Sequence, residues 1–308
     1  MKIEVVLTET EIVQELVEAV ESRDLPEKLF YWGPLPVRTW MALTGDPSFD
    51  GARPCWKQLA GRSAWLTEGF KDAIPVISLG AGDGATDRLL LDAICACGRE
   101  QIYFPVDASQ SLPEIACAGA EDLDIDTSGI KADIASPMHL VFASDAAESP
   151  KLILMSGNTL GGFDPMVQVR HMAECVHPGD RLVLDGEIFQ DLQDAHMDES
   201  MRQLAFAPLA GLGLSLEDGE VRVEHKRDGS LDGLHVTSTY FRPDRDLRIS
   251  VLGRDVLVER GEHIQLKFWY RFSAKALRTL VGKHGGLKIL EEIPSPDGRH
   301  LLVVCARR

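Results

Sequence analysis

Five short apolar runs lie between residues 74 and 188, and helical segments separate several of them. We predict strands at residues 74–79, 101–107, 130–134, 151–156 and 181–188. Helical spacing of apolar residues follows Leu79 and recurs at residues 111–120 and 166–176. Strands separated by helices of this length predict an α/β fold, in which helices cover both faces of a parallel sheet.

The two ends of the chain have different patterns. Near the N-terminus, apolar residues recur at helical spacing over residues 10–23, and Thr8 or Thr10 is placed to cap that helix. Residues 190–272 contain a helical patch and then short alternating runs with Asp-Gly turns, which favour antiparallel strands. The chain closes with a predicted helix and two strands around a Pro-Asp-Gly turn.

Residues 25–56 are rich in proline and aromatic residues and predict ordered but irregular structure. Three of the five tryptophans, Trp32, Trp40 and Trp56, lie here. Each of them fits either of two roles, because tryptophans fill cores and also line ligand pockets.

The composition is that of an ordinary globular protein, with 44% hydrophobic and 26% charged residues in a chain of 308. The formal net charge of -16 disfavours nucleic acid and anionic membranes as partners. The N-terminus lacks the pattern of a signal peptide, and no apolar stretch is long enough to span a bilayer, so we expect a cytoplasmic protein. The six cysteines form no CxxC pair, so we expect no metal site.

The main chemical signal is the turn Gly80-Ala81-Gly82-Asp83-Gly84, between a predicted strand and a predicted helix. Glycines allow a sharp turn and a close approach of a ligand to the backbone. A dinucleotide site would have GxGxxG spacing and a pyrophosphate at the helix N-terminus. Here the spacing is GxGxG, and the Asp83 carboxylate would repel a pyrophosphate but suits the zwitterionic methionine end of S-adenosylmethionine. A purely structural turn is the remaining alternative.

Polar residues at the ends of the next strands extend this site. Asp107 ends the second predicted strand, where a carboxylate can accept hydrogen bonds from both ribose hydroxyls of either cofactor class. After the third strand, Asp133 and Ile134 are candidates to bind the adenine amino group and to cover the ring. Ser156, Gly157 and Asn158 follow the fourth strand, whose carboxyl end faces the ligand crevice in open α/β sheets.

These segments resemble the methyltransferase family that includes the histidine-specific Nα-methyltransferase of ergothioneine biosynthesis and fungal dimethylallyltryptophan N-methyltransferases. The similar stretches, in family order, are LPEKLFY (25–31), LGAGDGATDRLLLDA (79–93), YFPVDAS (103–109), SGNTLGGFDP (156–165), PGDRLVLDGEIFQD (178–191) and GEHIQLKFWYRF (261–272). The resemblance implies S-adenosylmethionine as cofactor, a small-molecule substrate and a Rossmann-like fold.

The resemblance also implies a division of the chain into two parts. The cofactor domain would comprise residues 66–189 and, after an insertion, residues 273–308. The substrate domain would comprise the inserted residues 190–272, joined by the N-terminal residues 1–65.

The chain departs from the family's histidine enzymes at substrate-binding positions. The asparagine that holds the substrate amino group matches Gly162, and the glutamate and serine against the imidazole match Lys267 and Trp269. A lysine in place of a carboxylate inverts the charge demanded of the substrate. We therefore expect an acceptor other than histidine, with a carboxylate or an aromatic face, bound by Tyr31, Gly162, Lys267 and Trp269. The family's tyrosine after the fifth strand has no counterpart in residues 190–200.

An amine or hydroxyl acceptor usually needs a general base within reach. Glu187 is our first candidate, and Asp191 and His196 are near it in sequence. The sequence predicts N-methylation of an amino acid or related metabolite. The alternatives are O-methylation of a small natural product, a nicotinamide-dependent oxidoreductase, and a degenerate methyltransferase that binds its cofactor without catalysis.

Overall fold

The computed structural model describes residues 2–46, 51–70, 73–190, 199–251 and 253–308. The N-terminal part is mainly helical. Its elements are β1 (Lys2–Val5), α1 (Glu9–Ser22), a 3-10 turn (Glu27–Phe30), α2 (Pro34–Thr44), α3 (Arg53–Ala60) and α4 (Ser63–Leu66). Thr8 caps α1 in a reciprocal box, because its hydroxyl accepts from the Glu11 N–H at 3.3 Å and the Glu11 carboxylate accepts from the Thr8 N–H at 2.8 Å.

Strands and helices alternate in the middle of the chain, as the apolar pattern predicts. The elements are β2 (Ile74–Leu79), α5 (Asp87–Ala96), β3 (Gln101–Asp107), α6 (Ser111–Ala118), β4 (Asp126–Lys131), α7 (Pro137–Ser144), β5 (Leu152–Met155), α8 (Pro165–Cys175) and β6 (Arg181–Glu187). Strand β4 begins four residues before the predicted start, since polar residues at its beginning hide it from an apolar pattern.

The last third of the chain is mainly antiparallel. Its elements are α9 (Glu199–Gly211), β7 (Gly219–Asp228), β8 (Leu234–Pro243), β9 (Leu247–Val251), β10 (Arg254–Val258), β11 (Ile264–Phe272), α10 (Ala274–Thr279), a π-helical turn (Leu280–His284), β12 (Leu287–Pro294) and β13 (His300–Arg307). The predicted closing pair of strands is confirmed as β12 and β13.

The large sheet has the order β1-β4-β3-β2-β5-β6-β13-β12. Strands β1 to β6 pair in parallel, and β13 runs antiparallel to β6. The chain leaves β2 toward β3 on one side and later returns to β5 on the other, so the crevice at the carboxyl end of β2 is a topological switch point. The predicted α/β class with a Rossmann-like sheet is confirmed.

Alternate residues of the central strands pack on opposite faces of this sheet. Ile77 and Leu79 join the cluster under α7, α8 and α10, whereas Ile74 and Val76 join the cluster under α3 and α5. Trp56 is fully buried in the second cluster, which decides its role in favour of the core.

A third apolar cluster lies outside the large sheet. It joins α1, the 3-10 turn, α9 and strands β8 to β11. The N-terminal helix therefore packs with residues of the predicted insertion, while β1 pairs with β4 in the large sheet. The sequence did not indicate β1, and the exact division into domains stays a prediction. Among the described residues, no helix has both the length and the apolar character needed to cross a membrane.

Candidate active site

A cavity of about 410 Å³ lies at the carboxyl ends of β2 to β6. The β2–α5 turn, the ends of the other parallel strands and the start of α3 line one part of it. Side chains of α2, α9 and the three-stranded sheet β11-β8-β7 line the rest. The cavity thus adjoins the topological switch point, where ligands bind in open α/β sheets.

The glycine turn adopts the sharp backbone conformation that its sequence predicts. Gly80, Gly82 and Gly84 have φ of 70°, 57° and 74°, a region that side-chain-bearing residues rarely adopt. A Cβ on Gly82 would collide with the Trp40 ring, which makes Trp40 a wall of the cavity. Gly80 and Gly82 line the cavity, whereas Gly84 packs behind the turn, where a Cβ would lie 2.9 Å from Ala116.

Asp83 lies at the cavity with one carboxylate oxygen already engaged. Its Oδ1 accepts from the Ala85 N–H at 3.0 Å, which stabilises the turn. Because Asp83 also lines the cavity, its carboxylate lies beside the space that a ligand would occupy. The predicted role of Asp83 toward the methionine end of the cofactor is compatible with this placement.

Asp107 is 7% exposed at the tip of β3. Its Oδ2 accepts from the Gly82 N–H and its Oδ1 from the Ser109 N–H, both at 3.2 Å. Burial raises the pKa of Asp107 from 3.8 to about 6, although these backbone donors oppose the shift. One carboxylate therefore supports the glycine turn and faces the same cavity, as expected for a residue that binds ribose hydroxyls.

Asp133 and Ile134 also line the cavity, but Asp133 has partners that the sequence did not indicate. Its Oδ2 lies 2.5 Å from the Lys28 Nζ, and its Oδ1 accepts from the Ala135 N–H at 2.9 Å. Lys28 also pairs with Glu15 at 2.5 Å. The 3-10 turn that carries Lys28 is thereby tied to the predicted adenine site.

Ser156, Gly157 and Asn158 line the cavity after β5, and a buried carboxylate holds their backbone. Asp185 accepts from the N–H groups of Gly157 at 2.9 Å and Asn158 at 2.8 Å, and from the Trp56 indole at 2.8 Å. Burial raises the pKa of Asp185. The sequence analysis missed this support, although an acidic residue within the apolar run of β6 is a signal that could have found it.

The Asn158 side chain joins two strands. Its Oδ1 accepts from the Glu187 N–H at 2.9 Å, and its Nδ2 donates to the Tyr270 carbonyl at 3.0 Å. Its contribution to the cavity is therefore made mainly through its backbone, which is held at φ 54°.

Glu187 reaches the cavity from the end of β6, and both of its oxygens have partners. Trp269 donates its indole N–H to Oε2 at 2.9 Å, and the Arg271 guanidinium forms an ion pair with Oε1 at 2.7 Å. This arrangement orients Trp269 but leaves Glu187 less available as a base, so its catalytic role stays a prediction. Asp191 and His196 lie outside the described residues.

Tyr31 and Lys267 meet at the cavity with a residue that the sequence analysis did not single out, Glu27. Lys267 forms an ion pair with Glu27 Oε1, so the positive charge predicted for substrate binding has a partner within the chain. Gly162 does not line this cavity but lies behind Glu27, where a Cβ would be 2.8 Å from the Glu27 Oε1. Because Glu27 and Gly162 are far apart in sequence, their contact leaves no local pattern.

The described residues contain no group of three or more His, Cys, Asp or Glu side chains placed to hold a metal ion. The cavity instead combines a turn of glycines with positive φ, a buried carboxylate at a strand tip and an aromatic wall. These features fit a nucleoside with a charged amino-acid tail, which is the chemistry of S-adenosylmethionine.

A comparison with known protein families agrees with this cofactor. A family model described as histidine-specific, SAM-dependent methyltransferase matches residues 8–199. No curated protein matches the chain.

Two solved structures are distantly similar. A S-adenosylmethionine-dependent methyltransferase from Clostridium acetobutylicum ATCC 824 is 12% identical, covering 88% of this chain and 98% of its own, with a TM-score of 0.47. The CcbJ methyltransferase from Streptomyces caelestis is 14% identical, covering 83% and 96%, with a TM-score of 0.42.

The family match covers more than half of the chain and includes the glycine turn, Asp107, Asp133 and the segment after β5. The chain therefore belongs to the histidine-specific, SAM-dependent methyltransferase family and is an S-adenosylmethionine-dependent methyltransferase.

Proposed function

We propose that this enzyme methylates the nitrogen of a small molecule, an amino acid or a related metabolite other than histidine. The observation that carries the proposal is the extension of the cavity from the glycine turn to the inner face of the three-stranded sheet. That face presents Trp269, Thr237 and His225 in one cross-strand row, which gives an acceptor an aromatic surface and polar groups.

The charges in this part of the cavity argue against histidine. The two positions that face the imidazole in the family's histidine enzymes correspond to Lys267 and Trp269. Lys267 offers no acceptor for an imidazole N–H, and Trp269 donates its own N–H to Glu187. Neither of these two side chains can accept from an imidazole N–H, so the contacts that would recognise a histidine side chain at these positions are absent.

The reaction requires a free lone pair on the acceptor. The ammonium form of the acceptor first loses one proton to bulk water, before the acceptor is enclosed, and its nitrogen then attacks the methyl carbon in line with the sulfur. The carbon–sulfur bond breaks, and its electron pair remains on sulfur as S-adenosylhomocysteine forms. The enzyme contributes alignment of the two substrates and exclusion of water.

The test is a product search with S-adenosylmethionine carrying a ¹³C-labelled methyl group. The purified protein is incubated with the twenty proteinogenic amino acids and, separately, with a cell metabolite extract, and products are analysed by mass spectrometry with fragmentation. We expect label on the nitrogen of an amino acid or related metabolite other than histidine. Label on oxygen, label on histidine as the best acceptor, or no labelled product would contradict the proposal.

A further inference from the structure

Three polar side chains form a compact group at the acceptor end of the cavity. Lys267 pairs with Glu27 Oε1, and its Nζ also donates to the Tyr31 hydroxyl at 3.1 Å. The Tyr31 hydroxyl donates to the same Glu27 oxygen at 3.0 Å. The pKa of Tyr31 is raised well above 10.0, mainly by burial and then by the Glu27 charge, so the hydroxyl keeps its proton and remains a donor.

Aromatic rings enclose the ammonium group of this cluster. The Lys267 Nζ lies 5.2 Å from the ring centre of Phe30, 5.0 Å from that of Tyr31 and 5.1 Å from that of Trp269. Such ring faces attract a cation and hold the lysine in one position. The side chains of Lys267 and Glu27 are 6% and 9% exposed, so the pair is withdrawn from bulk water.

Glu27 occupies space that a side chain at position 162 would otherwise take. A Cβ on Gly162 would lie 2.8 Å from Glu27 Oε1 and 3.0 Å from its Cδ. The absence of a side chain at Gly162 therefore leaves room for the Glu27 carboxylate beside the segment that follows β5.

Each member of the ion pair retains capacity for a ligand. Within the described chain, the hydrogen bonds to the Glu27 side chain reach Oε1, and none reaches Oε2. The Lys267 ammonium has three N–H groups and uses two of them, on Glu27 and Tyr31. Both residues line the cavity and contact each other, so a carboxylate and an ammonium group lie side by side at its wall.

We propose that Glu27 holds the amino group of the methyl acceptor and that Lys267 holds a carboxylate of the same molecule. This assignment rests on the proposed N-methylation and names the residues that select the acceptor. The Glu27–Lys267 pair has no net charge, and neither has a zwitterionic amino acid. Their association therefore buries no uncompensated charge. An amine without a carboxylate, or an acid without an amine, leaves one charge of the complex unmatched.

The test measures binding of amino acids to the protein saturated with S-adenosylhomocysteine. The twenty L-amino acids are screened by thermal shift, and the best is titrated calorimetrically beside its decarboxylated amine and its deaminated acid. The variants are E27Q, K267M and the double variant E27L/K267M. Replacing a buried ion pair by apolar groups of similar volume often preserves stability, so the double variant guards against misfolding of the single ones. K275M is the control, because Lys275 is exposed and pairs with the equally exposed Asp232 at 3.4 Å.

We expect the amino acid to bind at least tenfold more tightly than either analogue. E27Q should weaken binding of the amino acid and of the amine at least tenfold. K267M should weaken binding of the amino acid and of the acid but leave binding of the amine unchanged. The double variant should keep its affinity for S-adenosylhomocysteine but no longer bind the amino acid. K275M should have the affinities of the wild type.

Wild-type amino-acid affinity in E27L/K267M would overturn the assignment, because it would make the pair purely structural. The assignment would also fail if none of the twenty amino acids binds. If labelled methyl still reaches an acceptor nitrogen in E27L/K267M at the wild-type rate, the assignment fails but the proposed N-methylation stands. If the wild type methylates no nitrogen at all, the proposed function itself fails.

Discussion

Replacing Asp107 with alanine should weaken cofactor binding without unfolding the protein. The carboxylate is buried at the tip of β3, and each oxygen accepts one backbone N–H, which leaves further lone pairs for two ribose hydroxyls. Leaving such partners unmatched costs about 1–3 kcal/mol, which corresponds to a roughly 5- to 150-fold weaker affinity. Calorimetric titration with S-adenosylhomocysteine at pH 8 measures this loss directly.

The same carboxylate gives the affinity a pH dependence. The pKa of Asp107 is about 6 in the free protein, and ribose hydroxyls donate most strongly to the ionised form, so binding favours deprotonation. At pH 5 only about one tenth of the carboxylate is ionised, and wild-type affinity should be about tenfold weaker than at pH 8 through this group. The difference between wild type and D107A should therefore shrink as the pH falls through 6.

The control for this experiment is D126A, which removes an exposed carboxylate at the opposite end of the neighbouring strand β4. Its affinity for S-adenosylhomocysteine should equal that of the wild type at both pH values. Wild-type affinity in a folded D107A variant would refute the placement of the ribose. A tenfold pH effect that persists in D107A would refute the assignment of that titration to Asp107.

Two further substitutions test the turn and the buried charge behind it. In calorimetry, G82A should weaken cofactor binding severalfold more than the control variant G69A. Both glycines have positive φ, so both substitutions strain the backbone, but only at Gly82 would a Cβ collide with Trp40 in the cavity. Equal affinities of the two variants would contradict this prediction. D87N should raise the free energy of unfolding at pH 7.5 by up to about 3 kcal/mol, as measured by urea titration. The reason is that burial raises the pKa of Asp87 from 3.8 to about 6, so the ionised carboxylate destabilises the folded protein. In the variant, the Tyr103 hydroxyl can still donate to the amide oxygen. This gain should be complete above about pH 6 and vanish below about pH 4, and a gain that persists at low pH would contradict its electrostatic origin.

The large sheet was predictable because its central strands are buried on both faces. The run at Ile74–Leu79 is nearly continuous in apolar residues, Arg181–Glu187 contains the apolar run 182–184, and the glycines after Leu79 mark the end of β2. The position of Asp107 at a strand tip beside that turn was likewise predictable from local sequence, whereas its contact with the ribose stays a prediction. Strand β1 was missed because its alternation of polar and apolar residues is only four residues long, and none of these residues is buried at the sheet edge.

The acceptor site was less predictable because its contacts are distant in sequence. Lys267 was singled out as a free positive charge, but its partner Glu27 lies 240 positions away. Trp40 could have been a core residue like Trp56, and only its approach to Gly82 makes it a cavity wall. Sequence patterns describe which face of an element is buried, whereas these pairings depend on how separate elements pack together.

The central claim is tested most directly by calorimetric titration of the purified protein with S-adenosylmethionine and S-adenosylhomocysteine. We predict binding of both with micromolar dissociation constants at pH 8. Absence of binding of either compound to the folded protein would contradict the assignment of the glycine turn, Asp107 and the surrounding cavity as a cofactor site.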